Sequence, residues 1–158
     1  MEQLARKVGH RLKRSGAMLV TAESCTGGWV AQVVTSVAGS SDWFERGFVT
    51  YSNAAKQELL GVKAATLKKH GAVSEATARE MARGALRRSK GGIAVSITGV
   101  AGPGGGSRQK PVGMVCLAWI YRNRIRSEVR RFAGDRKSVR RQSVVRALEG
   151  VLEQLAGG

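Results

Sequence analysis

Four stretches of this 158-residue chain carry the side chains and backbone patterns that can do chemistry. The first is Thr21-Ala22-Glu23-Ser24-Cys25-Thr26-Gly27-Gly28, a turn between an apolar strand and an apolar helix. Backbone N–H groups at such a turn can receive an anion or a developing oxyanion, and Ser24 offers a hydroxyl beside them. The same residues also suit a plain helix cap, with Ser24 or Thr26 accepting from the backbone. The spacing is neither that of a nucleophile elbow nor that of a nucleotide P-loop. The second stretch runs Ser40-Ser41, then Tyr51-Ser52-Asn53, then Lys56. With Asn53 as an N-cap, Lys56 falls on the first turn of a helix. A helix N-terminus and neighbouring cations push a lysine toward its neutral form, and a neutral lysine can serve as base toward a serine. A solvated surface lysine is the ordinary alternative.

The third stretch, Thr98 to Gly106, has five glycines in nine residues directly after an apolar strand. Its successive N–H groups can form an anion nest, or it can be a connector. The fourth holds Arg136 and Arg140, four apart after Gly134-Asp135, on one face of a helix start. Arginine binds phosphate with a planar fork, although Lys137 and Arg141 beside them also suit a basic solvated face. Elimination narrows the chemistry. The two histidines, His10 and His70, sit among basic residues and at a helix end, so a Ser-His-Asp arrangement has no well-placed base. No His/Cys/Asp/Glu cluster at ligand spacing is present, so no metal and no other cofactor is expected. A hydrolase built on this chain is left with a serine and a lysine or tyrosine base.

The elements that must position these residues follow from periodicity. Residues 2–15 read as a helix with Leu4, Val8 and Leu12 on one face, closed by Gly16. A strand at 18–21 and a helix at 28–37 flank the first turn. A strand is expected over 47–52 and short helices over 53–60 and 66–70. Ser74 caps a helix to about 88, and 93–98 is a near-continuous apolar strand. Residues 112–121 and 124–132 pair as a hairpin with one wet face. The last helix carries a stripe of Val144, Val145, Leu148, Val151, Leu152 and Leu155. The order predicts an α/β fold, a three-layer α/β/α sandwich on a mixed, partly parallel sheet with an antiparallel hairpin, in one domain spanning 1–158. In such sheets sites form where strand ends meet turns and helix starts, which is where residues 21–28, 98–106 and 134–140 fall.

Composition sets the outer limits. With 42% hydrophobic and 24% charged residues the chain is neither disordered nor fibrous. Lys plus Arg is 27 and Asp plus Glu is 11, a net charge of +16, which favours anionic partners. Cys25 and Cys116 are too few for a disulfide scaffold and read as reduced thiols of a cytoplasmic protein. No signal peptide and no stretch of 18 apolar residues is seen, so no membrane partner is expected.

Several long motifs in order resemble one family, the CinA C-terminal domain family. They are TAESCTGG, GSS followed by FERGFVTYSNAAK and LGV, GAVSEATA, ITGVAGPGGG followed by KPVG, and FAGDR followed by VR. The likeness covers roughly residues 5–155. It implies nicotinamide-nucleotide amidase activity: hydrolysis of the carboxamide of nicotinamide mononucleotide (NMN) to nicotinate mononucleotide and ammonia, by a metal-independent serine–lysine mechanism. Carried over by motif, the nucleophile falls on Ser41, with Ser40 and Ser24 as rivals. The base falls on Lys56, with Tyr51 close by. Thr26, Gly27, Thr98, Gly99 and Gly102 fall at substrate-binding positions, and Arg136 and Arg140 on the substrate phosphate. The cationic pyridinium of NMN calls for an aromatic or acidic neighbour, for which Tyr51 and Glu23 are nearest. A homodimer is a plausible partner state. The alternative from another class is a nucleic-acid- or nucleotide-binding module without amidase activity. The basic run 122–141 motivates it, and the low aromatic content of 5% speaks against a stacking surface.

Overall fold

A computed structural model describes residues 1–157. The elements run α1 (Glu2–Ser15), β1 (Leu19–Glu23), α2 (Trp29–Thr35), a 3₁₀ turn (Ser40–Asp42), β2 (Phe44–Val49), α3 (Asn53–Leu60), α4 (Ala64–His70), α5 (Glu75–Arg87), β3 (Ile93–Gly99), β4 (Met114–Tyr121), β5 (Arg124–Arg131) and α6 (Arg136–Ala156). The strands form one sheet in the order β2-β1-β3-β4-β5. β2, β1 and β3 are parallel, while β3–β4 and β4–β5 are antiparallel. The mixed sheet and its hairpin are therefore those expected.

The hydrophobic pattern explains the layers. β1 is buried throughout, and β3 from Ile93 to Thr98, as strands covered on both faces must be. One face packs against α1, α2 and α6 through Val8, Leu12, Val34, Trp43, Leu117, Trp119, Val144, Leu148 and Val151. The other packs against α5, with α3 and α4 outside it, through Val20, Leu60, Met81, Ala85 and Ala94. β5 is the outer strand of the hairpin and keeps a wet face, as its alternation of Ile125 and Val129 with charges requires.

The termini of the helices follow their side chains. Gly16 closes α1 in the left-handed region, the Ser74 hydroxyl accepts from the Thr77 N–H, and the Asp135 carboxylate accepts from the Ser138 N–H. One cap differs from expectation. Asn53 is the first residue of α3, and the capping side chain is Ser52, whose hydroxyl accepts from the Ala55 N–H. Strand bounds also move: β1 runs on to Glu23, and β2 begins at Phe44 and stops at Val49, so Tyr51 lies two residues beyond its end.

α5 and the end of α3 approach closely at Gly84. A Cβ there would lie 1.9 Å from the Leu60 carbonyl oxygen, a backbone atom that cannot swing aside. Gly84→Ala should therefore destabilise the fold by about 2 kcal/mol or more, despite the better helix propensity of alanine. Urea midpoints of the two proteins check this, and an unchanged or raised midpoint would refute the packing.

Candidate active site

The parallel strands β1, β2 and β3 all end at the same side of the sheet, and the segments leaving them enclose one pocket of about 280 Å³. Ser24 and Cys25 come from the turn after β1. Tyr51 follows β2, and Lys56 reaches in from α3. Thr98, Gly99, Ala101 and Gly102 follow β3, and Arg136 stands at the start of α6.

Lys56 is the centre of the arrangement. It is 1% exposed, and its Nζ lies 3.0 Å from Ser24 Oγ, 2.9 Å from the Thr50 carbonyl oxygen and 3.2 Å from that of Tyr51. Among the described residues no carboxylate pairs with it. Burial holds its pKa below the ordinary lysine value. The cause is thus loss of water rather than the neighbouring cations invoked from sequence. A neutral amine has two N–H bonds and one lone pair. The two carbonyls can accept both N–H bonds, so the lone pair is left for the Ser24 hydroxyl to donate into. That count matches a base facing its nucleophile.

The turn that carries Ser24 is fixed on several sides. The Ser24 N–H donates to the Ile97 carbonyl, and the Gly27 N–H closes the turn on the Ser24 carbonyl. Gly27 and Gly28 both have positive φ, which a side chain would strain. The Glu23 carboxylate, fully buried, accepts from the Val30 and Ala31 N–H groups and so anchors the start of α2. It does not line the pocket. Among the described residues the Cys25 and Thr26 N–H groups donate to no other backbone or side-chain oxygen, and the Thr26 hydroxyl is buried without a partner. Cys25 lines the pocket next to Ser24, but burial pushes its thiol up to about 12, so no reactive thiolate forms at neutral pH.

The opposite wall is the glycine loop. The Thr98 hydroxyl donates to the Ala72 carbonyl at 2.8 Å, tying the segment between α4 and α5 to the end of β3. Ala72 and Val73 line the pocket, a contribution that only the GAVSEATA motif hinted at. Arg136 donates to the Gly102 carbonyl at 2.8 Å and approaches the Tyr51 hydroxyl at 3.4 Å, bridging the rim.

Among the residues predicted from sequence, Ser24, Lys56, Tyr51, Thr98, Gly99, Gly102 and Arg136 share this pocket. Thr26, Gly27 and Arg140 do not line it. Thr26 and Gly27 belong to the turn next to the lining residues Ser24 and Cys25, and Arg140 donates to the Cys25 and Thr26 carbonyls. Ser41 requires a correction. It is exposed, in the 3₁₀ turn that precedes β2, whereas Lys56 binds the carbonyls that follow β2. A six-residue strand separates the two, about 20 Å at the usual rise per residue. Ser40 lies at the same far end. The serine that meets Lys56 is Ser24. Among the described residues no group of three His, Cys, Asp or Glu side chains is placed to hold a metal ion, and no helix is long and apolar enough to cross a membrane.

The buried amine has a consequence for stability. A lysine whose folded pKa is lowered binds fewer protons than in the unfolded chain, so stability rises with pH from the lowered value up to the ordinary 10.5. Urea melts of wild type and Lys56→Met across that window should diverge in favour of wild type as pH rises, by at most about 1.4 kcal/mol per pH unit. Parallel pH dependences would mean that the amine keeps its ordinary pKa.

The model of the CinA C-terminal domain matches residues 1–155. The chain is 55% identical to the nicotinamide-nucleotide amidohydrolase PncC of Escherichia coli K12 over 154 residues, covering 96% of this chain and 93% of that protein. It is 52% identical to the protein of the same name from Pseudomonas putida, covering 95% and 94%. The crystal structure of the competence/damage inducible protein CihA from Agrobacterium tumefaciens superimposes with a TM-score of 0.94 at 48% identity, over 98% of this chain and 94% of that one.

Proposed function

The chain belongs to the CinA C-terminal domain family, and we propose that it is a nicotinamide-nucleotide amidase that hydrolyses the carboxamide of NMN to nicotinate mononucleotide and ammonia. The observation that carries this reading is the 3.0 Å approach of the buried Lys56 amine to the Ser24 hydroxyl. The names of relatives at 52% and 55% identity over nearly the whole chain supply the substrate. They do not favour the alternative of a nucleic-acid- or nucleotide-binding module.

An amide is a poor electrophile, and a covalent intermediate splits its hydrolysis into two easier steps. Lys56 takes the Ser24 proton as Oγ attacks the carboxamide carbon. The tetrahedral oxyanion is received by the free Cys25 and Thr26 N–H groups. The protonated Lys56 returns its proton to the leaving nitrogen, which departs as ammonia and leaves a nicotinoyl ester on Ser24. Water, deprotonated by Lys56, then attacks the ester and frees Ser24. The phosphate goes to Arg136 and to the N–H groups of the glycine loop around Gly102 and Gly104, which donate to no protein oxygen among the described residues. Both cysteines are free thiols, which suits a reducing compartment, and the enzyme is assigned to the cytoplasm.

Purified protein should release ammonia from NMN, with or without a chelator. Ser24→Ala and Lys56→Met should each lower kcat on the order of a thousandfold or more while the fold persists. Ser41→Ala should keep wild-type turnover. The wild-type rate should rise with pH as Lys56 deprotonates, on a limb below the ordinary lysine value. Full turnover by Ser24→Ala would remove Ser24 as the nucleophile.

A further inference from the structure

Arg140 does not fit the phosphate role that its spacing from Arg136 suggests. Its Nε donates to the Cys25 carbonyl at 3.0 Å and its Nη2 to the Thr26 carbonyl at 3.2 Å. Its guanidinium lies 5.3 Å from the centroid of the Trp29 ring, which holds it from the other side. It borders an open depression with Trp29, Arg136 and Lys137, outside the pocket that contains Ser24 and Lys56. Two hydrogen bonds and a stacked ring are a costly way to hold a side chain unless its position matters.

The peptide it grips is the one that follows Cys25. That peptide is trans, so its C=O and N–H point in opposite directions. With the Cys25 carbonyl drawn toward Arg140, the Thr26 N–H must face away from α6. Among the described residues this N–H, like those of Cys25 and Gly28, donates to no protein oxygen. A cation on the carbonyl side also polarises the peptide and makes its N–H the stronger donor, as linked hydrogen bonds do. Glu23 secures the other end of the segment through the Val30 and Ala31 N–H groups. The turn is thus held by an anion on its N–H side at α2 and by a cation on its C=O side at α6.

We propose that Arg140 is a positioning residue for the oxyanion: it aims and polarises the Thr26 N–H through the Cys25–Thr26 peptide and does not bind the substrate phosphate. The proposal rests on the reading of Ser24 as nucleophile of an amidase. It separates the two arginines of the helix start, with Arg136 serving the phosphate and Arg140 the reacting carbonyl.

The test compares NMN with nicotinamide riboside, which has the same carboxamide and ring and no phosphate. Arg140→Gln should lower kcat about tenfold to a hundredfold on both substrates, with KM for NMN changed less than about threefold. Arg140→Lys, which keeps a charge but reaches fewer carbonyls, should fall between Arg140→Gln and wild type. Arg136→Ala should raise KM for NMN by a larger factor than it changes kcat/KM for the riboside. In a Ser24→Ala background, calorimetric binding of NMN should be the same with Arg140 or Gln at that position. A merely structural role would lower thermal stability and NMN binding together, and would overturn the proposal. A rise in KM confined to NMN, absent with the riboside, would also overturn it and return Arg140 to the phosphate. A wild type that leaves NMN intact would overturn the amidase reading and this proposal with it. An active wild type with an indifferent Arg140→Gln would overturn this proposal alone.

Discussion

The site depends on a lysine that has exchanged water for three oxygen atoms. Stripping an ammonium of its hydration costs several kcal/mol, and Lys56 has no carboxylate among the described residues to offset that cost. Burial accordingly holds the Lys56 pKa below the ordinary lysine value. In the neutral form the two carbonyls can accept both N–H bonds, which leaves the lone pair for the Ser24 hydroxyl. The position of the amine is itself determined by backbone. Ser52 caps α3, its carbonyl accepts from the Lys56 N–H, and this places the side chain on the first turn, where the helix field also disfavours a cation. The basicity needed for chemistry at neutral pH is thus a product of packing and not of a catalytic partner.

The parallel half of the sheet explains how so few residues from each segment suffice. The three strand ends sit side by side, so the first residues beyond each converge without long excursions. β1 contributes the hydroxyl, β2 the carbonyls that hold the amine, and β3 the glycine loop. Cross-ties then remove the slack between them. Thr98 binds Ala72, and Arg136 joins Gly102 to the Tyr51 rim. Each tie links segments distant in sequence, so the pocket wall is joined across the fold's layers.

Much of this could be read before any coordinates. The periodicity of α1 and α6, the Ser74 and Asp135 caps and the wet hairpin strand all follow from local spacing, and local physics decides them. The turn at Ser24 and the lysine at 56 were also visible as residue types. What sequence spacing did not convey was which end of β2 a residue belongs to. Ser41 and Tyr51 are ten apart and both precede Lys56 in one continuous motif, yet they flank opposite ends of one strand. The rule that parallel strands present their sites at their carboxyl ends separates them, because Ser41 precedes β2 and Tyr51 follows it. The setting of Arg140 was hidden for a different reason. Two of its N–H donors go to carbonyls more than a hundred residues away, a contact that no helical spacing encodes.

The distribution of charge completes the electrostatic account. The net charge is +16, yet few acids are free to modulate the pocket. Glu23 and Asp135 accept from helix starts, Glu80 accepts from Lys63 and Thr66, and Glu2, Asp42, Glu45, Glu128, Glu149 and Glu153 pair with basic side chains. Among the described residues no carboxylate lines the pocket, whose ionisable side chains are Lys56, Arg136, Tyr51 and the un-ionised Cys25. The proposed substrate has a cationic ring at one end and an anionic phosphate at the other. A charged Lys56 beside the ring would repel it, whereas a neutral amine does not, so binding the ring and keeping the base unprotonated favour the same state. The proposed phosphate ligand is Arg136, the one arginine lining the pocket among the described residues. On the proposed reading, the fixed charge of Arg136 and the lowered proton affinity of Lys56 orient a zwitterionic substrate with its carboxamide toward the serine.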